Sequence, residues 1–433
     1  MHLVMAARIH RPFDAAGPEL AAAADELAEL AELLAAHPHL PVALRVSEPV
    51  LAWVEGHRPE LLAALREAGD RVEWLGGGWA EPILPMLPHP DRARQLDREM
   101  AALSGRFTAR VRGVWPAPDG WEPSLAGTLA AASVEFVLLA EPGEAPLPTR
   151  PVAVDDLGET VAVVPVLPAD ARAFILAEGI HRNDPDGLAV MAGQAREVEV
   201  LVARLAGDPR FDFTTCAAYL ETHGPVAAAS QPRRSGSWRA AVRESPDVAV
   251  LYRKMLRISS RLPERAPEEA VDHLMAAQGH EAYALGAPHL VRLAAHERLI
   301  RARVSAEAGR RGVPALRVSR FDWDADGREE LHLEVASLSL VIDPEDGGTL
   351  HYLDDKATGW PVSEVPVSGG GRLRWLSCRL AGADTDPADL GRLPMAVEAV
   401  EQLRTAVEVR LMGTVPGGGR LACRVRAEGR TLK

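Results

Sequence analysis

Over roughly the first ~220 residues, short apolar strands alternate with helical runs, and that alternation restricts the chain to a parallel α/β sheet or barrel. Leu3 to Ile9 reads as the first strand, and Gly17-Pro18 opens a helix whose Leu20, Ala23, Ala24, Leu27, Leu30 and Leu34 keep one apolar face. Pro41 to Val46, Val72 to Leu75, Val111 to Trp115 and Val134 to Leu139 follow as strands. Leu61 to Ala68, Asp91 to Leu103 and Leu125 to Ala132 are the helices between them. Val152 to Val154 and Val161 to Val166 read as strands, the first an arm of a hairpin around Gly158. Leu188 to Met191 is a strand and Ala195 to Leu205 a helix, and Phe211 to Thr214 and Cys216 to Glu221 close the series. These strands are apolar without alternation, as in a sheet covered on both faces.

Two changes of pattern follow. Ser230 to Ser237 is a polar, Pro- and Gly-containing linker, and from Trp238 to about Arg303 the spacing is helical, as in a three-helix bundle. Beyond Gly309, Leu331 to Val335, Leu338 to Ile342, Thr349 to Leu353, Arg372 to Leu380, Ala396 to Gln402, Ala406 to Met412 and Leu421 to Ala427 read as strands of an antiparallel domain. The expected domains are therefore 1–229, 230–309 and 310–433.

The stretch R-V-E-W-L-G-G-G-W-A-E-P, starting at Arg71, ends a strand in three glycines followed by Trp79 and Glu81. Barrels build their sites at such strand ends, and glycines let another group approach the backbone. An aromatic ring beside a carboxylate suits a sugar; a corner that merely packs is the alternative. Trp115, Asp119, Trp121 and Glu122 crowd the next such loop, and His10 tips the first strand. Glu73, inside an apolar strand, must be paired or used, and Arg8 or Arg45 on neighbouring strands would suffice as partner. Retaining sugar chemistry needs two carboxyls about 5–5.5 Å apart. The strand end at Met191 offers none. Asp322, Asp324 and Asp326 precede Gly327 in a D-x-D-x-D-G run, a candidate structural calcium cage that lacks the twelfth-position Glu; a solvated acidic turn is the alternative. No other metal or cofactor is expected, because nucleotide loops, C-x-x-C and H-E-x-x-H are missing from the sequence.

A net charge of -13 argues against nucleic-acid partners. Cys216, Cys378 and Cys423 lie far apart without ligand spacing, the pattern of free thiols in a reducing compartment, so a cytoplasmic protein is expected. No apolar run reaches the ~18 residues of a membrane span. The oligomeric state is left open.

Taken together these motifs resemble glycoside hydrolase family 57, in its 4-α-glucanotransferase and α-amylase branch. His10-Arg11-Pro12 resembles the family's H-Q-P, D-R-V-E-W at Asp70 to Trp74 its G-Q-L-E-I, and W-A-E-P-I-L its Y-E-P-I-L. Lys254 to Ser260, Ala276 to Tyr283 and Leu340 to Gly348 are similar to segments of its middle and C-terminal domains. The resemblance implies an α/β fold: an incomplete seven-stranded (β/α) barrel, then an α-helical bundle and an antiparallel β-sandwich-like domain. It also implies an α-glucan or maltooligosaccharide ligand, with His10, Glu73, Trp79, Glu81, Trp115 and Trp121 lining the cleft. The chain departs from the family at the reacting groups. Pro118 stands in place of the nucleophilic Glu, and Met191 and Ala192 stand where the acid's segment has aspartates. The expectation is a degenerate member that binds glucan without double displacement. The alternatives are an active transferase or amylase whose carboxyls have relocated to Asp119, Glu122 or Glu141, and a scaffold without sugar affinity.

Overall fold

A computed structural model describes residues 1–140, 149–168, 173–205, 207–227, 238–308, 316–324, 326–364, 393–414, 420–429 and 431–432. The 230–237 linker, Glu141, Cys378 and the expected strand at 372–380 lie outside them. The chain divides into two compact units: Met1–Ala241 with Gln278–Ala284, and Val242–Ala277 with Leu285–Lys433.

The first unit is built on β1 (His2–Ile9), β2 (Val42–Val46), β3 (Val72–Gly76), β4 (Gly113–Val114), β5 (Phe136–Ala140), β6 (Val152–Asp156), β7 (Glu159–Pro168) and β8 (Leu188–Ala192). Seven of these pair in parallel in the order β7-β5-β4-β3-β2-β1-β8, and β8 pairs back onto β7. The expected barrel therefore forms with seven strands, one fewer than a full eight, and its ring is closed. β6 is the antiparallel hairpin arm outside the ring. β9 (Asp212–Phe213) pairs with the start of β1, and β10 (Val226–Ala227) with β6.

Side chains alternate across each barrel strand. Val4 and Ala6 of β1, Ala43 of β2, Leu75 of β3, Phe136 and Leu138 of β5, Val164 of β7 and Val190 of β8 share one interior cluster. Phe136 fills that interior so closely that a Cβ on Gly113, its neighbour in register, would lie 2.1 Å from the ring. The opposite faces, with Leu3, Met5, Leu44, Trp74 and Met191, pack outward against the helices. These are α1 (Gly17–Ala36), α2 (Glu48–His57), α3 (Pro59–Ala68), α4 (His89–Phe107), α5 (Ala126–Ala131), α6 (Ala173–Asn183) and α7 (Ala195–Leu205). α8 (Cys216–His223) instead sends Cys216, Ala217 and Tyr219 into the interior cluster from the strands' N-terminal end. α9 (Trp238–Glu244) begins beyond the linker.

In the second unit, α10 (Pro246–Arg261), α11 (Glu268–Ala276) and α12 (His289–Ala308) form the helical part. A five-stranded antiparallel sheet runs β11 (Arg317–Phe321), β12 (Glu330–Glu334), β13 (Leu338–Asp343), β14 (Thr349–Asp355), β15 (Trp360–Pro361). A four-stranded one runs β16 (Met395–Gln402), β17 (Ala406–Thr414), β18 (Arg420–Glu428), β19 (Thr431–Leu432). Leu331, Leu333, Leu340 and Ile342 of the first sheet share a core with Val407, Val409 and Leu411 of the second, the alternating inner faces of a sandwich. Among the described residues Cys216 and Cys423 are buried and not in a disulfide, and no helix is long and apolar enough to cross a membrane.

Candidate active site at the barrel's C-terminal end

The glycine loop after β3 is the hub of the site. The backbone N–H groups of Gly77 and Gly78 donate to Glu99 Oε2, which reaches in from α4, at 2.6 and 2.7 Å. Arg45, fully buried on the inward face of β2, places Nη1 2.5 Å from Glu99 Oε1 and Nη2 3.2 Å from Glu81 Oε1. A Cβ on Gly77 would lie 2.8 Å from Arg45 Nε and 2.7 Å from the Trp115 carbonyl. The glycine run thus admits a guanidinium, the close approach that its sequence implies.

Glu81 is the centre of charge. It is fully buried and sits in the left-handed region at φ 48°, a conformation costing about 1–3 kcal/mol for a non-glycine residue. Its carboxylate receives Arg8 Nη2 at 2.6 Å, lies 3.0 Å from His10 Nδ1, and faces Arg45. Burial alone would raise its pKa, but Arg45, Arg8 and His10 together hold it well below the usual carboxylate range. Arg8 also donates to the Pro116 carbonyl at 3.1 Å, tying β1 to the next loop.

The segment Gln278–Ala284 supplies the other wall. Gln278 donates to Asp91 at 2.7 Å and accepts from Gln95 at 2.9 Å, and Gln95 in turn accepts from Ala80 N at 2.9 Å. A bridge between Pro82 and Gly279 joins the two backbones. This lays His280 and Glu281 against the mouth. His10 Nε2 hydrogen-bonds Glu281 Oε1, while His280 Nδ1 lies 3.0 Å from the Glu81 carbonyl oxygen. Burial pulls His10 down, yet its bonds to Glu281 and Glu81 outweigh that and hold it up at about 9. His280 is pushed down by burial, and Glu281, despite burial, is drawn down by His10. One imidazolium therefore stands between two carboxylates.

His10, His280 and Glu281 offer ligand atoms within 4.8 Å of one another, a His2Glu set of the kind that holds zinc. His10 must lose its proton before it could ligate.

Of the residues expected to line a cleft, His10 and Glu81 meet here. Glu73 does not: its carboxylate accepts the Cys216 and Ala217 N–H groups at 2.9 and 2.8 Å and so anchors the start of α8 inside the barrel. The expected ion pair of Glu73 with Arg8 or Arg45 is corrected, because those arginines turn to Glu81 and Glu99. Trp79 is buried between Phe13, at 4.3 Å between ring centroids, and the Arg98 guanidinium. Trp115 is buried beneath Arg8, and Trp121 packs in a core with Leu84, Leu96 and Leu129.

Pro118 is exposed and Asp119 half-buried in its loop, with φ 59°. Glu122 is buried and held by Arg239 and by Trp238 Nε1 at 3.2 Å. Met191 points outward into the helical layer, whereas Ala192 is on the inward face. The expectation that both stand at the mouth is corrected for Met191 by strand alternation. Arg8, Arg45, Glu99, His280 and Glu281 were not singled out as site residues by their local sequence. The one signal available was A-A-Q-G-H-E-A-Y, which places a His and a Glu side by side.

In the second unit, Asp322, Asp324 and Glu330 bring carboxylate oxygens within 4.8 Å, and Asp324 shares a similar group with Asp343 and His351. Asp322 accepts from Asp326 N at 3.1 Å and Gly327 N at 3.0 Å, Asp326 accepts from Arg328 N at 2.8 Å, and Glu330 accepts from Trp323 N. The acidic run folds as a turn that satisfies its own backbone.

A closed parallel barrel with charged side chains gathered at the strands' C-terminal ends is the architecture of a (β/α) barrel with its candidate site at that end. The family model described as Glycosyl hydrolase family 57 matches residues 11–165. The chain is 23% identical over 413 residues to alpha-amylase 1 of Dictyoglomus thermophilum, covering 76% of this chain and 59% of that one. It is 24% identical over 414 residues to a 4-alpha-glucanotransferase of Thermococcus kodakarensis, covering 77% and 61%. The crystal structure of 4-alpha-glucanotransferase from Thermococcus litoralis superposes with a TM-score of 0.75 at 19% identity, over 99% of this chain and 82% of that one. The family match thus covers the N-terminal part of this chain, the sequence similarity covers about three quarters of it, and the fold is that of the Thermococcus litoralis structure. The chain spans about three fifths of the length of the curated relatives it matches.

Proposed function

We propose that this chain is a protein of α-glucan metabolism whose barrel mouth binds α-glucan or a maltooligosaccharide without retaining double-displacement chemistry. The glucan class rests on the relatives, an amylase and a glucanotransferase. One observation carries the loss of chemistry: Glu81 and Glu281 flank opposite nitrogens of His10, so an imidazolium fills the gap between them. A retaining site needs one free ionised carboxyl and one protonated carboxyl facing the sugar. Both of these are drawn toward the ionised state by His10 and its neighbours. Glu99, raised by burial, is committed to Arg45 and the glycine N–H groups. Pro118 and Ala192 have nothing to donate or to attack with.

Calorimetric titration with maltooligosaccharides, followed by chromatography of the mixture after long incubation, tests this reading. Binding without new products is the expected result. New products that disappear in Asp119→Asn would establish the relocated-carboxyl alternative, since Asp119 is half-buried at the loop while Glu122 is held by Arg239. Neither binding nor products would leave a scaffold.

A further inference from the structure

The second unit contains a cavity of about 330 Å³ between α10, α12 and the five-stranded sheet. Its size is at the small end of the ~300–1,000 Å³ range of ligand pockets. Its charge is unusual for an acidic chain. Lys254, Arg257, Arg261, Arg303 and Arg317 line it, against Glu307, Glu334 and Asp354. Five cations face three carboxylates, leaving an excess of two positive charges.

The partners within the wall show where that excess resides. Lys254 is paired with Asp354 at 2.7 Å, and Arg303 with Glu334 at 2.6 Å and Glu307 at 2.9 Å. Arg261 reaches Glu334 only at 3.7 Å, a carboxylate Arg303 already holds. Arg257 has no carboxylate partner among the described residues. Its guanidinium lies over Phe321, 3.3 Å from the ring centroid, and Nη2 is 3.3 Å from His332 Nδ1. His332 is buried, and burial with the surrounding cations holds its pKa far down, so its Nδ1 accepts that bond as a neutral ring. Nε2 of the same ring, 3.0 Å from Ser339 Oγ and 3.1 Å from Tyr352 OH, is fixed on its other side. The guanidinium is thus oriented by stacking and by one hydrogen bond, with no carboxylate in direct contact among the described residues. Burial, then Arg261, lower the Arg257 pKa to about 10, although Tyr352 and Glu334 pull the other way. Trp323 and Tyr352 give the same wall an aromatic surface.

We propose that this cavity is a binding site for a small phosphomonoester, its dianionic phosphate seated between Arg257 and Arg261 and its uncharged body, no larger than a hexose, against Trp323 and Tyr352. A phosphate dianion matches the excess charge, and the planar guanidinium donates two parallel N–H groups to phosphate oxygens. The site is separate from the barrel mouth and independent of the function proposed for it.

Calorimetric titration of the full chain with glucose 1-phosphate, inorganic phosphate and glucose tests the assignment. The expected result is binding of glucose 1-phosphate that weakens with added salt and falls at least tenfold in Arg257→Gln and in Arg261→Gln, at unchanged melting temperature. Should Arg257→Gln fail to fold, Arg261→Gln, an exposed position one turn on, carries the comparison. No binding of glucose 1-phosphate at millimolar concentration, or binding that both variants leave intact, overturns the proposal. Equal affinity for glucose overturns the phosphate contact, and equal affinity for inorganic phosphate overturns the organic body.

Discussion

Glu81 balances Arg8, Arg45 and His10 from a left-handed backbone position, and each of those contacts depends on its charge. Removing one member of a buried ionic set typically costs about 3–5 kcal/mol, because the remaining charges stay buried. Glu81→Gln is expected to lower unfolding stability by that order in urea titrations; a loss below about 1 kcal/mol would mean that Glu99 alone sustains Arg45. His10 sets a pH dependence. Its folded pKa, about 9, lies above the ~6.5 of an unfolded histidine, so its contribution is complete below about pH 6.5 and disappears as pH rises through about 9. Melting temperature should fall over that window, and the fall should be smaller in His10→Gln. His10 and Glu81 could be picked from the sequence because each stands at a strand end. Glu281 could not, since its partner lies some 270 residues away and no local pattern encodes that distance. The three tryptophans look like sugar platforms in a string of letters, yet nothing in that string says whether a ring faces water or Leu84 and Leu96.

At the level of elements, α8 is held by Glu73, a strand carboxylate two-thirds of the barrel away in sequence. Glu73→Ala would leave the buried Cys216 and Ala217 N–H groups without acceptors, at about 1–3 kcal/mol. Hydrogen exchange should quicken in α8 specifically, while uniform loss of protection would assign Glu73 a role in the whole barrel. Strand and helix alternation was readable wherever the runs were long and apolar. It failed over α2, a short helix that contains Pro49 and Gly56, and over β11, whose Arg317, Ser319 and Arg320 leave little apolar signal. The D-x-D-x-D-G run shows a different limit. A metal cage and a self-capped turn use the same residues at the same spacing, so the spacing alone does not choose between them, and Asp322 here accepts two backbone N–H groups of its own turn. Asp322→Ala should therefore cost the second unit on the order of 1 kcal/mol through lost turn bonds.

For the whole molecule, the order of units along the chain is interrupted: Gln278–Ala284 belongs to the barrel although helices of the other unit precede and follow it. A chain ending at Ala241 would lack Glu281 on His10 and Gln278 between Asp91 and Gln95. It should melt at least several degrees below the barrel of the full chain, and equal melting would show the returning segment to be dispensable for stability. The barrel class was legible because apolar strands and helical runs alternate through the first unit. Reading helices contiguously puts Ala276 to Tyr283 in the 230–309 stretch, whereas Gln278–Ala284 is grouped with the barrel.

The parallel pairing of β1 with β8 has a consequence for synthesis. As the chain leaves the ribosome, the flank of β1 that will receive Leu188–Ala192 must wait for nearly two hundred further residues. Until they emerge, that flank is a bare row of amide and carbonyl groups on an apolar strand, open to any other extended chain. Only the arrival of β8 pairs that edge, so the ring's last-made neighbour is also the one that covers its first strand.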